Sequence, residues 1–299
     1  MDGTIAGLVR QVPGWQHAEI AVTLMEGGIT NRNYRVEVDG RPCVVRIPGE
    51  RTELLGIDRA GEAEASRRAA ALGLAPAVIA ELPGVGTLVT EFVDGKPATT
   101  DDLVAPGVLE DVVASIRQLH GSGPIGARFP IFRVVEWHAR DAAANGGRVP
   151  AMYDELHRTA AMIERVLPGG DDVPCHNDLL PANVLLAADR HWLIDFEYAG
   201  MNEPLFDLAN LSVNCAFDEA ADHRLLTAYD GDASARRLAM LGLMKVMSEL
   251  REGMWAVVQE AISALDHVDF GAYGRGRLDH CAELSRSSTF AAWLTEVDR

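Results

Sequence analysis

His176-Asn177-Asp178-Leu179-Leu180-Pro181-Ala182-Asn183-Val184-Leu185-Leu186, continued by Trp192-Leu193-Ile194-Asp195-Phe196-Glu197, is the stretch on which the reading of this chain turns. It reads as a polar loop, a short apolar strand, a turn at Asp189-Arg190, a second apolar strand and a carboxylate at that strand's end. The hairpin return carries Asp195 back toward Asp178 and Asn183. Two carboxylates and an amide oxygen then gather at one end of a two-stranded ribbon. Two of the three are hard oxygen ligands suited to Mg²⁺, which keeps several waters and binds through one or two side chains plus substrate phosphates. The third is then free to accept a proton from an attacking hydroxyl. Each residue alone is an ordinary occupant of a polar turn; the constellation carries the reading.

The spacing of His176, Asp178 and Asn183 resembles the catalytic loop of protein kinases, and Asp195 resembles their magnesium-binding Asp. Asn177 stands where the kinase loop has Arg, and Ile194-Asp195-Phe196-Glu197 replaces Asp-Phe-Gly. These departures point to the kinase-like small-molecule phosphotransferases, the group that contains choline/ethanolamine kinases and aminoglycoside phosphotransferases.

A chain of 299 residues buries a sizeable core and favours two lobes over one. With 48% hydrophobic and 24% charged residues, the composition is that of a soluble globular protein. The N-terminal Met-Asp-Gly-Thr-Ile has no secretory character, and no uninterrupted apolar window is long enough to span a bilayer. Cys43, Cys175, Cys215 and Cys281 are scattered without a CxxC pair, which argues against a zinc site or disulfide framework and fits free thiols in a reducing cytoplasm. The net charge of −17 repels nucleic acid and anionic membrane and favours a cationic substrate, or serves solubility alone. No repeat or low-complexity segment appears.

Ahead of the hairpin, Ile20 to Val45 alternates as strands, with Asp39-Gly40 as a hairpin turn and Cys43-Val44-Val45-Arg46-Ile47 as a more continuous strand. Glu26-Gly27-Gly28-Ile29-Thr30-Asn31 lies between the first two. Paired glycines allow close backbone approach to phosphate oxygens, with Thr30 and Asn31 as further donors. Arg46 sits where kinases place their phosphate-binding Lys. A helix over Gly56–Gly73 presents Glu62 and Glu64, either able to reach back to Arg46 in a bidentate pair. Residues 76–92 give two more strands with a turn at Glu81-Leu82-Pro83-Gly84. Val93-Asp94-Gly95-Lys96-Pro97 reads as a hinge, and backbone groups from Glu91 to Val93 are free to bind an adenine edge. The remainder is mainly helical: Asp101–His120, Arg133–Asn145, Ala151–Leu167, Asp207–Ala216, Glu219–Tyr229, Ala233–Leu265 and Leu278–Val297.

In this order the pieces resemble the choline/ethanolamine kinase family. The likeness is carried by Gly27-Gly28-Ile29-Thr30-Asn31, by Val44-Val45-Arg46-Ile47-Pro48-Gly49 with Thr52-Glu53-Leu54-Leu55 and Ile57-Asp58-Arg59, by the His176–Asn183 loop, and by Ile194–Asn202 running to Phe206-Asp207-Leu208-Ala209-Asn210. A weaker echo follows at Glu252–Gln259. The resemblance implies an α+β, two-lobe, protein-kinase-like fold, with a small antiparallel-sheet N-lobe (1–92) that binds nucleotide. The larger, mainly helical C-lobe (93–299) would be catalytic and acceptor-binding. It implies ATP- and Mg²⁺-dependent phosphoryl transfer to the hydroxyl of a small amino alcohol, with no nucleic-acid or membrane partner, and is compatible with a homodimer. Asp178 would accept the hydroxyl proton, Asn183 and Asp195 would hold Mg²⁺, and Arg46 braced by Glu62 would bind phosphate. Gly27, Gly28, Thr30 and Asn31 would close over the triphosphate.

A quaternary ammonium calls for aromatic faces and a carboxylate; Tyr198, Trp255 and Glu197 are the candidates, with Trp137 and Trp293 behind them. Glu252 stands where the family often has the first Trp of Trp-x-x-Trp. That exchange replaces a cage wall with an anion and favours a primary or less methylated amine able to donate hydrogen bonds to Glu252. An aminoglycoside phosphotransferase would share the loop and the acidic charge. A non-catalytic nucleotide-binding relative is the reading from another class, opposed by the full set Asp178, Asn183, Asp195 and Arg46. A protein kinase is disfavoured because no Ala-Pro-Glu peptide follows Asp195.

Overall fold

The computed structural model describes residues 2–25, 28–82, 84 and 86–299. Helix α1 (Asp2–Val9) is followed by five strands, β1 (Ile20–Leu24), β2 (Asn31–Val38), β3 (Arg41–Pro48), β4 (Val78–Leu82) and β5 (Thr87–Glu91). They form one antiparallel sheet in the order β1-β2-β3-β5-β4. At the β2–β3 turn Asp39 (φ 50°) and Gly40 (φ 77°) both lie in the left-handed region, as a turn matching the strand twist requires. Val36, Val38, Cys43, Val45 and Val89 face inward and pack with Ile5, Val9 and Val12 beneath β1 and β2. Helix α1 was not expected from the sequence: its two glycines are poor helix formers, and its burial against the sheet holds it.

Helix α2 (Arg59–Ala71) crosses from the sheet toward the rest of the chain. It starts later than the expected Gly56 because Asp58 is its N-cap, accepting from Ala60 N at 3.0 Å and Gly61 N at 3.1 Å. Residues Thr52–Leu55 instead form a 3-10 turn between left-handed Arg51 (φ 61°) and Gly56 (φ 80°). Gly61 is required by packing, since a Cβ there would stand 2.3 Å from the Ala127 side chain.

The C-terminal region comprises β6 (Lys96–Pro97), α3 (Thr100–Val104), α4 (Val108–His120), α5 (Ile131–Ala144), α6 (Tyr153–Val166), β7 (Val173–Cys175), β8 (Val184–Leu186), β9 (His191–Leu193), β10 (Gly200–Asn202), α7 (Pro204–Asn214), α8 (Glu219–Asp230), α9 (Ala235–Ile262), α10 (Phe270–Ser285) and α11 (Ser288–Asp298). The single helix expected over 101–120 is broken by Pro106 and by Gly107 at φ 85°. The one expected over 278–297 is divided at Ser287, whose hydroxyl caps α11 by accepting from Phe290 N at 3.0 Å. Asp207 lies in the first turn of α7 rather than at its start, which Pro204 occupies. Helix α9 is buried around nearly its whole circumference from Ala239 to Val258, charged residues Glu249 and Arg251 included, and is enclosed by α5, α7, α10 and α11. Strands β8 and β9 form the expected hairpin, which β6 joins, while β7 pairs with β10. Among the described residues no helix is long and apolar enough to cross a membrane. All four cysteines are buried free thiols.

Candidate active site

The His176–Asn183 loop is held from below by α7. Asp207 accepts from His176 N and from Asn177 N, each at 2.7 Å, and also meets His120 Nε2 at 3.0 Å. Asn210 Oδ1 accepts from Leu179 N at 2.6 Å. Asn177 adopts φ 63°, a conformation Asn tolerates better than most residues. Its amide donates to Tyr198 O at 3.0 Å and Gly200 O at 3.3 Å and accepts from Asn202 Nδ2 at 2.8 Å, sewing the loop to β10. His176 donates through Nε2 to Ile194 O at 2.9 Å. Asn183 Nδ2 donates to Asp178 O at 2.8 Å, and Ile194 N donates to Asn183 O at 3.0 Å. The hairpin thus brings Asp178, Asn183 and Asp195 together, with Asp195 itself left-handed at φ 68°.

Arg46 on β3 reaches across from the sheet. Its guanidinium forks between Glu62 Oε1 on α2 and Asp195 Oδ1. Burial opposes the Arg46 charge, but Asp195, Glu62 and Glu197 outweigh it and raise its pKa. Glu64, the other carboxylate within sequence reach of Arg46, accepts instead from Gly126 N at 2.9 Å. Arg59 completes this side, donating to Glu62 Oε2 at 2.7 Å and to Thr52 Oγ1 at 3.0 Å. Glu197 accepts from Thr30 Oγ1 at 2.5 Å and Asn31 Nδ2 at 2.8 Å, with Arg59 Nη1 at 3.4 Å. Its carboxylate therefore belongs to the strand-β2 side of the site and is bound to the very residues expected over the triphosphate. Gly28, at φ 95°, sits just before them; Gly27 lies outside the described residues. Glu91 ends β5 opposite Cys43, and Val93 lies in the connection between β5 and β6.

On the other side of Asp178 stands α9. Arg251 Nη1 donates to Glu252 Oε2 at 2.6 Å and to Asp178 Oδ1 at 3.3 Å. Its guanidinium carbon lies 4.5 Å from the Tyr198 ring centroid and 5.6 Å from that of Phe129. Trp255 Nε1 donates to the Tyr198 hydroxyl at 2.7 Å, and Tyr273 donates its hydroxyl to Glu252 Oε1 at 2.8 Å. Tyr198 and Trp255 are buried, whereas Tyr273 is 39% exposed. Trp137 lines a cavity of about 270 Å³ with Glu53, Asp58, His138 and Asp141. Trp293 packs on Gly242, some 20 Å along α9 from Trp255 at the usual helical rise.

Electrostatics single out two carboxyls. Burial pushes Asp178 up to about 7, Arg251 pulling it back and Glu252, Asp195 and Glu197 adding to the rise. Burial likewise raises Glu197 to about 7, with Asp195 adding and Arg46, Thr30 and Arg59 opposing. A carboxyl tuned near neutrality is suited to accept and release a proton. The oxygen donors Asn183 and Asp195 on one rim fit a hard divalent cation that keeps part of its water shell.

The sequence pattern of the phosphotransferase enzyme family matches residues 21–241. The chain belongs to this family. The structure of a choline/ethanolamine kinase family protein from Mesorhizobium loti is 30% identical, superposes with a TM-score of 0.81 and covers 99% of both chains. That likeness places the chain in the choline/ethanolamine kinase family and gives it the two-lobe fold of the kinase-like phosphotransferases. Protein LicA of Haemophilus influenzae is 29% identical over 68% of this chain and 61% of its own length. Ethanolamine kinase 2 of Mus musculus is 27% identical over 89% of this chain and 77% of its own.

Four residues of the site were given no role from sequence. Asp207 and Asn177 stood within quoted motifs, but their roles depend on backbone contacts that only the fold supplies. Arg59 was quoted without a role. Arg251 was passed over because Glu249 and Glu252 flank it in sequence and make it look like part of a solvated charged turn; its burial is what shows that carboxylates must balance it.

Proposed function

We propose that this chain transfers the terminal phosphoryl group of Mg·ATP to the hydroxyl of choline, ethanolamine or a related small amino alcohol. The observation that carries the reading is the meeting of Asp178, Asn183, Asp195 and Arg46, with Glu252 and Tyr198 linked to Asp178 through Arg251. Phosphoryl transfer asks for alignment and charge compensation rather than covalent help from the protein. Asp178, with its carboxyl tuned to about 7, orients the hydroxyl and takes its proton as the oxygen bonds to phosphorus. Asn183 and Asp195 would hold Mg²⁺, which would offset charge on the phosphate oxygens. Arg46, oriented by Glu62, presents its fork to phosphate in place of Asp195. Glu197 ties Thr30 and Asn31 to the segment carrying Asp195, so that the β1–β2 loop (Gly27, Gly28) closes over the triphosphate. Backbone groups from Glu91 to Val93 take the adenine edge, and residues 1–92 act as the nucleotide lobe.

The test is ADP release with Mg·ATP and a panel of choline, ethanolamine, methylated ethanolamines, kanamycin and homoserine. Turnover of an amino alcohol that disappears in Asp178→Ala supports the reading. Turnover of kanamycin alone moves the chain to the antibiotic-modifying branch, and nucleotide binding with no acceptor overturns the proposal.

A further inference from the structure

The face of Tyr198 and the carboxylate of Glu252 are where a cationic acceptor head was expected, and the protein has already placed a cation there. Arg251 lies within the 6 Å reach of a cation–π contact on two rings, Tyr198 at 4.5 Å and Phe129 at 5.6 Å. The same guanidinium bonds Glu252 and Asp178, the two carboxylates nearest the acceptor. It is 1% exposed, and its Nε and Nη2 find no hydrogen-bond acceptor among the described residues. A side chain enclosed in mid-helix, among buried neighbours of α9, is a fixed part of the wall and not a surface cation that swings aside.

We infer that Arg251 is a specificity-determining residue: it fills the aromatic and carboxylate surface a quaternary ammonium would use, so the site selects an ammonium that carries N–H groups. This inference rests on the proposed phosphoryl transfer to an amino alcohol. With Asp178 ionised, Asp178 and Glu252 against Arg251 leave one net negative charge, so a cation is still attracted. Its binding must come from hydrogen bonds instead of ring faces. Glu252 has room for them: a carboxylate offers about four lone-pair sites, and Arg251 and Tyr273 use one each. A trimethylammonium group has no N–H to offer and is too bulky to share the Tyr198 face with a guanidinium.

The experiment compares the wild-type chain with Arg251→Met, which removes the charge at similar length, and Arg251→Lys, which keeps it. Thermal unfolding is followed in tetramethylammonium chloride against matched sodium chloride. Removing the guanidinium leaves an aromatic surface and two carboxylates without their cation, so tetramethylammonium raises the midpoint of Arg251→Met through ligand linkage but not that of the wild type or Arg251→Lys. In turnover, the wild type prefers ethanolamine to choline by about tenfold or more in kcat/KM. That ratio falls about tenfold in Arg251→Met and is retained in Arg251→Lys. Should Arg251→Met not fold, Arg251→Gln, which keeps N–H donors without the charge, takes its place. Equal stabilisation of wild type and variant by tetramethylammonium, or an unchanged ethanolamine-to-choline ratio, overturns the inference. If no amino alcohol is phosphorylated while the thermal contrast holds, the reaction assignment fails and the role of Arg251 in excluding quaternary ammonium stands.

Discussion

Two arginines in this molecule are each held by two carboxylates, and they do different work. Arg46 bridges Glu62 and Asp195, contributed by separate parts of the chain, and its side chain keeps 12% exposure at the seam between sheet and helices. Arg251 bridges Asp178 and Glu252 from inside α9, where its side chain is 2% exposed and lies on two rings. The accessible ion pair can exchange a carboxylate for an incoming phosphate, because the guanidinium fork accepts either anion in the same geometry. The enclosed one cannot exchange partners without leaving a buried charge unpaired, which is costly. Under the proposed phosphoryl transfer, Arg46 serves as a nucleotide handle, whereas Arg251 beside Asp178 is a piece of fixed wall.

The comparison breaks most decisively at the residue between the two arginines. Asp178→Asn keeps shape and loses the base, and kcat should fall by about 10³-fold while nucleotide affinity measured by calorimetry stays within about twofold of wild type. Equal loss of nucleotide affinity would mean that Asp178 belongs to the phosphate side. Arg46→Ala comes next, with kcat/KM for ATP reduced about 10²-fold, chiefly through KM, as expected when a charge-assisted fork to phosphate is lost. An effect confined to the acceptor's KM would contradict the division of labour.

Below these lies the support under the loop. Asp207→Asn leaves His176 N or Asn177 N without its charged acceptor and should cost about 2 kcal/mol, read as a lowered denaturation midpoint. A midpoint equal to wild type would mean that the α7 contacts do not carry the loop. A pH dependence of stability lies behind Arg251 and leaves the reaction untouched. His138 is buried with Nε2 facing Leu55 O at 3.3 Å, and burial first, then Arg251, lowers its pKa from 6.5 to about 4. The folded value is depressed, so below about 6.5 the unfolded chain takes up the proton first. Stability is complete above that pH and drains as the pH falls toward about 4, by up to ~1.4 kcal/mol per pH unit. His138→Phe should flatten this slope in denaturant titrations at pH 4.5, 5.5 and 6.5; an unaltered slope would assign it to other groups.

How much of this was legible in the sequence follows from how local each feature is. The β8–β9 hairpin and the β2–β3 turn are written in contiguous residues with strong local preferences, and period-two alternation marked β1 to β3. The Arg46–Glu62 ion pair was within reach because strand and helix are adjacent in the chain, although the residues alone left Glu62 and Glu64 open and the family resemblance chose Glu62. Glu197 misled for the opposite reason. Its partners Thr30 and Asn31 lie more than 160 residues away in sequence, and nothing near Glu197 announces them. The helix break at Gly107 was legible in its Pro106-Gly107 pair and was overlooked, whereas the break at Ser287 has no comparable local breaker. Arg251 was hidden because Glu249 and Glu252 beside it in sequence make a charged turn that looks solvated, while the fold buries it.

³¹P NMR of the chain incubated with Mg·ATP and ethanolamine reads the reaction itself. A new phosphomonoester resonance should grow in step with ADP and be absent with Asp178→Asn. Release of inorganic phosphate alone, or no change in the ATP resonances, would contradict the proposed transfer.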